Sequence, residues 1–241
     1  MRSMLILAPL TLLAACGGEG SGGNASAPAA PVQGAAAPAG QQWSQVVSET
    51  PEGGYRMGNP DAPVKLVEYG SRTCPACGAF ARQGFEPLTK LVETGKVSFE
   101  FRDFLIHGAP DLASAVLGRC GGPTTFFPLL EQMYANQAAT LDKLQSTPES
   151  FQAQIQSMAP PQQVAAWAQQ AGYLDFVKQR GIPEAQARQC LADMNTVQKL
   201  VNMTDKATEV TGTPTFIING KKAEGAVSWP QLETALKQAG A

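Results

Sequence analysis

Residues 64–77 read VKLVEYGSRTCPAC and contain the features that decide the fold. The first part of this segment is rich in strand-forming side chains and predicts a short strand that ends near Tyr69. Helical character begins at the first cysteine and extends over residues 74–93, and the alternating residues 97–101 predict a second strand. A strand, a helix and a strand in this order form a parallel βαβ unit.

The remainder of the chain changes character twice. Residues 109–207 are almost wholly helical in pattern, with prolines as interruptions, and β character returns at residues 215–218. The dipeptide Asn219-Gly220 is a strong hairpin signal, and it predicts a further short strand at residues 223–227. An amphipathic helix at residues 229–239 ends the pattern. The order predicts an α/β fold in which a central mixed sheet is flanked by helices and carries an inserted all-helical domain.

Cys74 and Cys77 form a C-x-x-C motif directly after a strand and at the start of a helix. The unpaired N–H groups and the dipole at that helix end favour an anion, so the Cys74 thiolate is stabilised. Half of a zinc site is the alternative interpretation of such a motif. However, Cys120, Cys190 and the single histidine, His107, show no second metal-type spacing. The motif therefore favours redox chemistry, with no metal and no other cofactor.

Two segments resemble the DsbA-like branch of the thioredoxin superfamily. VEYGSRTCPAC at residues 67–77 is similar to the active-site segment of that family, and TGTPTFIING at residues 211–220 is similar to its cis-proline loop. The similarity extends from about Tyr55 to the C-terminus and includes the inserted helices. The resemblance implies a thioredoxin fold with a helical insertion, and it implies protein thiol–disulfide oxidoreductase activity.

The resemblance also implies a role for individual residues. Cys74 takes the position of the exposed nucleophile, and Cys77 takes that of its buried partner. Pro214 takes the position of a cis-proline that presents backbone groups to a substrate, with Thr213 beside the sulfurs. Glu68 takes the position of a buried acid that exchanges a proton with Cys77. The alternatives are that Pro214 is a trans proline starting a strand, and that Glu68 is a strand-end residue that reaches water.

The motif departs from strongly oxidising relatives at Ala76, where those proteins often have a histidine. Without that cation the Cys74 thiolate is expected to be less stable and the disulfide less oxidising. The sequence therefore favours an oxidant that forms disulfides in client proteins, and a reductase of the same fold is the alternative. A different class, a non-catalytic peptide-binding or copper-handling lipoprotein, would not need redox cycling.

Cys120 and Cys190 lie in the helical segment and are the two cysteines left when the C-x-x-C pair and Cys16 are set aside. In an oxidising compartment they are expected to form a structural disulfide. The alternative is two buried free thiols that pack as small hydrophobic side chains.

The N-terminus has the pattern of an export signal. A positively charged start precedes an apolar run at residues 4–13 that is too short to cross a bilayer. The residues LAAC at positions 13–16 resemble a bacterial lipobox, which implies that residues 1–15 are a signal peptide and that Cys16 is acylated. An ordinary signal peptide with an incidental Cys16 thiol is the alternative. Glycine after this cysteine, rather than aspartate, favours the outer membrane.

The chain after the signal peptide divides into a linker and two domains. Residues 16–40 are dominated by small residues and proline, which predicts a flexible, lipid-anchored linker. Residues 41–108 and 208–241 are expected to form the thioredoxin-like domain. Residues 109–207 are expected to form the inserted helical domain.

The overall charge bears on the partners. A net charge of −2 and a sequence pI of about 5.5 give no basic surface for nucleic acid. The expected partners are unfolded or folding exported polypeptides, a separate redox protein that reoxidises the site, and a membrane reached through the lipid anchor. The protein is expected to be a monomer on the periplasmic side of the cell envelope.

Overall fold

A computed structural model describes residues 29–241, which contain a mixed six-stranded sheet flanked by helices. The strands are β1 (Val47–Glu49), β2 (Tyr55–Met57), β3 (Val64–Gly70), β4 (Val97–Asp103), β5 (Thr215–Ile218) and β6 (Lys221–Lys222). The helices are α1 (Pro75–Glu93), α2 (Ala109–Arg119), α3 (Pro123–Ala135), α4 (Gln137–Gln145), α5 (Glu149–Gln156), α6 (Pro160–Gln170), α7 (Tyr173–Lys178), α8 (Glu184–Ala192), α9 (Met194–Lys206) and α10 (Trp229–Gln238). The predicted α/β class with a helical insertion is confirmed. Within the described range, no helix has the length and apolar character needed to cross a bilayer.

The sheet order β1-β2-β4-β3-β5-β6 places β3 in the interior of the sheet. β3 runs parallel to β4 and antiparallel to β5, so that Leu66 lies opposite both Phe99 and Ile218. The parallel pair is the predicted βαβ unit, with α1 as its crossover helix. Because β3 has neighbours on both sides, the position at which it ends and α1 begins is fixed by the sheet.

α1 packs one face on this sheet. Phe80, Leu88 and Val92 are buried at spacings of a helical stripe, and the Phe80 ring lies 4.6 Å from the ring of Phe216 on β5. The helix ends where Gly95 adopts a positive φ of 68°, a conformation that glycine tolerates best. The core therefore holds α1 along its whole length and fixes the direction of its N-terminus.

The helices α2 to α9 form the insertion between β4 and β5 and have a hydrophobic cluster of their own. Leu117, Val177 and Leu200 are fully buried in this cluster. A disulfide joins Cys120 at the end of α2 to Cys190 in α8, with Cα atoms 5.8 Å apart. The two cysteines left over in the sequence are thus bonded to each other in the structure.

The predicted strand at residues 223–227 is wrong. Asn219 and Gly220 have φ angles of 50° and 78° and form the expected tight turn, so the chain pairs again at once as the strand Lys221–Lys222. Gly225 then adopts a φ of 73°, which is incompatible with an extended strand at this point.

The predicted flexible linker covered residues 16–40, of which residues 16–28 lie outside the described part of the chain. Residues 29–40 differ from that prediction, because they lie on the folded domain. The N–H groups of Ala29 and Val32 donate to carbonyls at the end of α10, each at 2.9 Å, and Val32 packs against the main core. The free energy of these contacts offsets the conformational entropy that the segment loses when it becomes ordered. The composition of the segment does not indicate such contacts.

Candidate active site

The C-x-x-C motif lies at the junction of the loop after β3 and the first turn of α1. Cys74 is the N-cap of α1, and its Sγ accepts a hydrogen bond from the backbone N–H of Cys77 at 3.5 Å. Proline at the first helical position suits this start, because its missing N–H would have no partner within the helix. Both cysteines are free thiols, Cys74 being 5% exposed and Cys77 fully buried. Cys74 is therefore the sulfur that a second molecule can reach.

The electrostatic environment makes Cys74 a stable anion. Its pKa is lowered to about 5, chiefly by the hydrogen bond with the Cys77 side chain and also by the N–H groups of Cys77 and Ala76, against the opposing effect of burial. Backbone N–H groups at a helix start are known to stabilise a thiolate in this way. At neutral pH Cys74 is consequently a thiolate, suited to attack a disulfide or to leave from one.

The cis-proline loop faces Cys74. The Thr213–Pro214 peptide bond is cis, and Cys74 Sγ lies 3.2 Å from the Thr213 carbonyl oxygen, to which it donates when protonated. The Thr213 hydroxyl is buried, and the Thr213 side chain also helps to lower the pKa of Cys74. The structure thus brings together Cys74, Thr213 and Pro214 from segments about 140 residues apart.

Glu68 lies on β3 and is buried, with its Oε1 atom lacking a hydrogen-bond partner in the described structure. Burial, together with the smaller effect of the negative charge of Cys74, raises the pKa of Glu68 to about 8. The pKa of Cys77 is raised well above its usual value by burial, by its hydrogen bond with Cys74 and by the charge of Glu68. Glu68 and Cys77 are therefore protonated together while Cys74 carries the charge.

The pKa of Glu68 predicts how stability depends on pH. Compared with a variant that lacks this carboxyl, we expect the reduced protein to lose stability as the pH rises from the ordinary pKa of 4.5 toward about 8, because Glu68 in the folded state holds a proton that the unfolded chain has released. The loss reaches at most about 1.4 kcal/mol per pH unit. Glu68→Gln is expected to abolish this loss, since its amide stays neutral.

Urea unfolding of both reduced proteins between about pH 5 and pH 8.5 measures the effect. The opposite contribution of Cys74 is common to both proteins and cancels in the difference between their unfolding free energies. If that difference stays constant across the range, Glu68 does not have the raised pKa.

The loop ahead of Cys74 is anchored by a buried charge cluster. Asp103, 2% exposed at the end of β4, accepts hydrogen bonds from Arg72 and, at 2.8 and 2.6 Å, from Arg119 of α2. The Arg72 guanidinium also lies over the rings of Phe101 and Phe126, 5.5 Å from each centroid. The cluster ties together the active-site loop, the sheet and the inserted domain.

A second buried acid holds the same loop. Asp111, in the first turn of α2, accepts hydrogen bonds from the hydroxyls of Ser71 and Thr73 and from the backbone N–H of His107. The Thr73 hydroxyl also contacts Nδ1 of His107 at 2.6 Å. His107 is half-exposed at the edge of an apolar cavity of about 390 Å³ that Pro75 also lines.

Sequence reasoning did not identify Arg72, Asp103 and Asp111 as parts of the site. The available signal was a charged residue within an otherwise apolar or strand-forming segment, which implies a buried partner. Cys16, a predicted site residue, lies outside the described residues. Within residues 29–241, no three or more His, Cys, Asp and Glu side chains are grouped to bind a metal.

Comparison with known proteins agrees with this architecture. The thioredoxin family model matches residues 50–238. A relative from Rickettsia bellii, whose name assigns it provisionally to the protein-disulfide oxidoreductases, is 27% identical over 176 residues, which cover 70% of this chain. The match spans only 58% of the length of that relative.

Two solved structures are similar in fold. A protein-disulfide isomerase from Novosphingobium aromaticivorans has a TM-score of 0.71 and 29% identity, covering 75% of this chain and 94% of that one. The alpha-DsbA1 protein of Wolbachia pipientis has a TM-score of 0.58 and 20% identity, covering 76% and 89% respectively, and this likeness concerns the fold.

The sheet, the C-x-x-C helix start and the cis-proline loop define a thioredoxin-fold protein with a dithiol site. The chain belongs to the thioredoxin family. Its fold, with the helical insertion, is similar to the folds of that protein-disulfide isomerase and of alpha-DsbA1.

Proposed function

We propose that this chain is a protein thiol–disulfide oxidoreductase that forms disulfide bonds in exported polypeptides. The observation that carries the proposal is the unequal chemistry of the two cysteines at one helix start. Cys74 has a pKa lowered to about 5, whereas the pKa of Cys77 is raised well above its usual value. Such a pair has a good leaving group in the reachable sulfur and a resolving group in the buried one.

In the proposed reaction a client thiolate attacks Cys74 Sγ of the oxidised site. A client–Cys74 disulfide forms, the Cys74–Cys77 bond breaks, and Cys77 leaves as a thiolate that takes a proton. Glu68 is the proposed donor of that proton, because it is neutral at neutral pH and acts electrostatically on Cys77. A second client thiolate then attacks the client sulfur of the mixed disulfide and expels the Cys74 thiolate.

The net transfer balances over the two cysteines. Two client thiols lose two electrons and two protons and become a disulfide, while Cys74 and Cys77 become reduced. A separate redox partner must then accept the two electrons to restore the oxidised site. Thr213 and Pro214 are proposed to receive the client backbone in extended form beside Cys74, since the Thr213 carbonyl lies 3.2 Å from the Cys74 sulfur.

Oxidative refolding tests the proposed direction. The oxidised protein is mixed in stoichiometric amount with a reduced, unfolded secreted protein, and the client disulfides are counted by mass spectrometry after alkylation. Each molecule of oxidised protein is expected to deliver one disulfide to the client. If instead the reduced protein opens client disulfides and the oxidised protein delivers none, the reductase is the correct function.

We also propose that the protein is anchored on the periplasmic side of the envelope through the LAAC sequence that ends at Cys16, and Gly17 favours the outer membrane. The mature protein is expected to carry acyl chains on Cys16, and Cys16→Ala is expected to release it from membranes or to block its processing. Intact mass and membrane fractionation of both proteins measure this. An unmodified N-terminus that lies beyond Cys16 contradicts the anchor and leaves the redox proposal unaffected.

A further inference from the structure

Gln137, the first residue of α4 in the inserted domain, reaches across to the active-site loop. Its side chain is buried, and Nε2 donates to the carbonyl of Cys74 at 2.8 Å and to the carbonyl of Arg72 at 3.0 Å. An amide nitrogen has two hydrogens, so both of its donors are used on this loop. Within residues 29–241, no other side chain makes a hydrogen bond to the backbone of Cys74.

The opposite end of this amide faces the first turn of α1. A Cβ atom on Gly78 would collide with Oε1 of Gln137, so the glycine leaves the space that the amide occupies. The amide orientation follows from its partners. With oxygen and nitrogen exchanged, an oxygen would face two carbonyl oxygens; the Arg72 carbonyl would lose its donor and the Cys74 carbonyl would lose one of its two.

The Cys74 carbonyl links this contact to the reactive sulfur. It accepts both the Gln137 amide and the backbone N–H of Gly78, the latter at 3.1 Å in the first turn of the helix. Two donors on one carbonyl fix the orientation of the Cys74 backbone, from which Sγ projects. The same backbone conformation places Sγ within hydrogen-bond distance of the N–H of Cys77. A shift of this peptide would move the sulfur away from that N–H group.

We propose that Gln137 is a positioning residue of the dithiol site, through which the inserted domain holds the Cys74 sulfur on the first-turn N–H groups and so sets its reactivity. The inference rests on the proposed redox role of Cys74. It adds a function for the insertion, since one side chain of α4 controls the geometry of a residue in the thioredoxin-like domain. A second contact from the inserted domain also holds the active-site loop: the Tyr134 hydroxyl donates to the Ser71 carbonyl at 3.2 Å.

Three variants test the role by different routes. Gln137→Met keeps an unbranched side chain of similar length against Gly78 and removes both donors. Gln137→Glu keeps the shape and, once ionised, places a negative charge beside Cys74. Gly78→Ala keeps Gln137, but the new Cβ atom displaces the side-chain amide of Gln137. The matched control is Gln186→Met, because Gln186 also lies in the inserted domain and donates to a carbonyl, that of Cys120, at 3.2 Å.

The measurements are the thiolate absorbance of reduced Cys74 against pH and the equilibrium of the dithiol with glutathione. Gln137→Met is expected to raise the Cys74 pKa and to shift the glutathione equilibrium by about three- to tenfold toward the disulfide. A shift of this size is expected because the variant loses one neutral hydrogen bond near the sulfur. Gln137→Glu is expected to shift the Cys74 pKa and the glutathione equilibrium further than Gln137→Met does. Gly78→Ala is expected to shift both quantities in the same direction. Gln186→Met is expected to leave both unchanged.

Unchanged thiolate titration and glutathione equilibrium in the folded variants would overturn the proposal. If Gln137→Met does not fold, the graded shifts of Gly78→Ala and Gln137→Glu decide the question. Because the thiolate titration needs no client, a change there supports the positioning role even if client oxidation fails. A wild-type protein that titrates as proposed but oxidises no client would count against the proposed function alone.

Discussion

The Cys74→Ser protein is expected to transfer no disulfides, with its rate on a reduced unfolded client falling to the uncatalysed background. Serine retains the helix N-cap, but its hydroxyl is not ionised at neutral pH and cannot form the mixed disulfide. The fold should persist, since Cys74 contributes a small side chain at the surface of the core. Stopped-flow or alkylation-quenched assays of client thiols measure the rate.

The matching variant is Cys77→Ser, which keeps Cys74 and lacks the resolving sulfur. It is expected to accumulate mixed disulfides with clients through Cys74, visible as adducts that disappear on reduction. Normal client oxidation by the Cys74→Ser protein would show that another group does the chemistry.

Asp103→Asn is expected to destabilise the protein by about 3–5 kcal/mol, the range for breaking a buried charge pair on one side. Asp103 is the only carboxylate that bonds to Arg72 and Arg119 among the described residues, and all three side chains are nearly inaccessible. The substitution leaves two buried guanidinium groups without an anion. The Arg72 Nε and Nη2 atoms already lack hydrogen-bond partners in the described structure, so little compensation is at hand.

The control for this variant is Glu86→Gln, which breaks the exposed pair of Glu86 with Lys90 on α1. That substitution is expected to leave the unfolding midpoint unchanged, because solvent screens the pair. Urea unfolding of both variants provides the comparison. Equal midpoints for Asp103→Asn and wild type would mean that the cluster does not stabilise the loop.

The parts of the fold that the sequence predicted correctly have local causes. β3 and α1 follow from short periodic patterns, and the tight turn follows from Asn219-Gly220, whose residues accept the positive φ it needs. The hairpin of β1 and β2 was not predicted, because each strand has only three residues. β2 also pairs with the distant strand β4, as the register of Tyr55 with Phe101 illustrates, and a local pattern does not reveal that partner.

Local sequence likewise predicts some residues of the candidate site and not others. Cys74, Cys77 and the cis-proline loop stand in recognisable motifs. Asp103, Asp111 and Gln137 act on residues 71–74 from 31 to 65 positions away, and nothing in their local sequence points to those contacts. Such residues become visible only when the inserted domain is packed on the sheet.

Ala76 illustrates how a local argument and the whole environment can differ. The missing histidine predicted a less stable thiolate, yet the pKa of Cys74 is lowered to about 5. The hydrogen bond with Cys77 and the N–H groups of the first turn provide that stabilisation without a cationic side chain. A stable thiolate favours the reduced dithiol and therefore an oxidising disulfide.

The equilibrium of the Cys74–Cys77 pair with glutathione distinguishes an oxidising dithiol site from a reducing one. We expect full exchange and a potential between the roughly −270 mV of thioredoxin and the roughly −120 mV of the strongest oxidant in the superfamily. We also expect thiolate absorbance to be lost only as the pH falls through about 5. A potential at or below that of thioredoxin would contradict an oxidising function and favour a reductase. A pair that does not exchange with glutathione would contradict the assignment of the dithiol site itself.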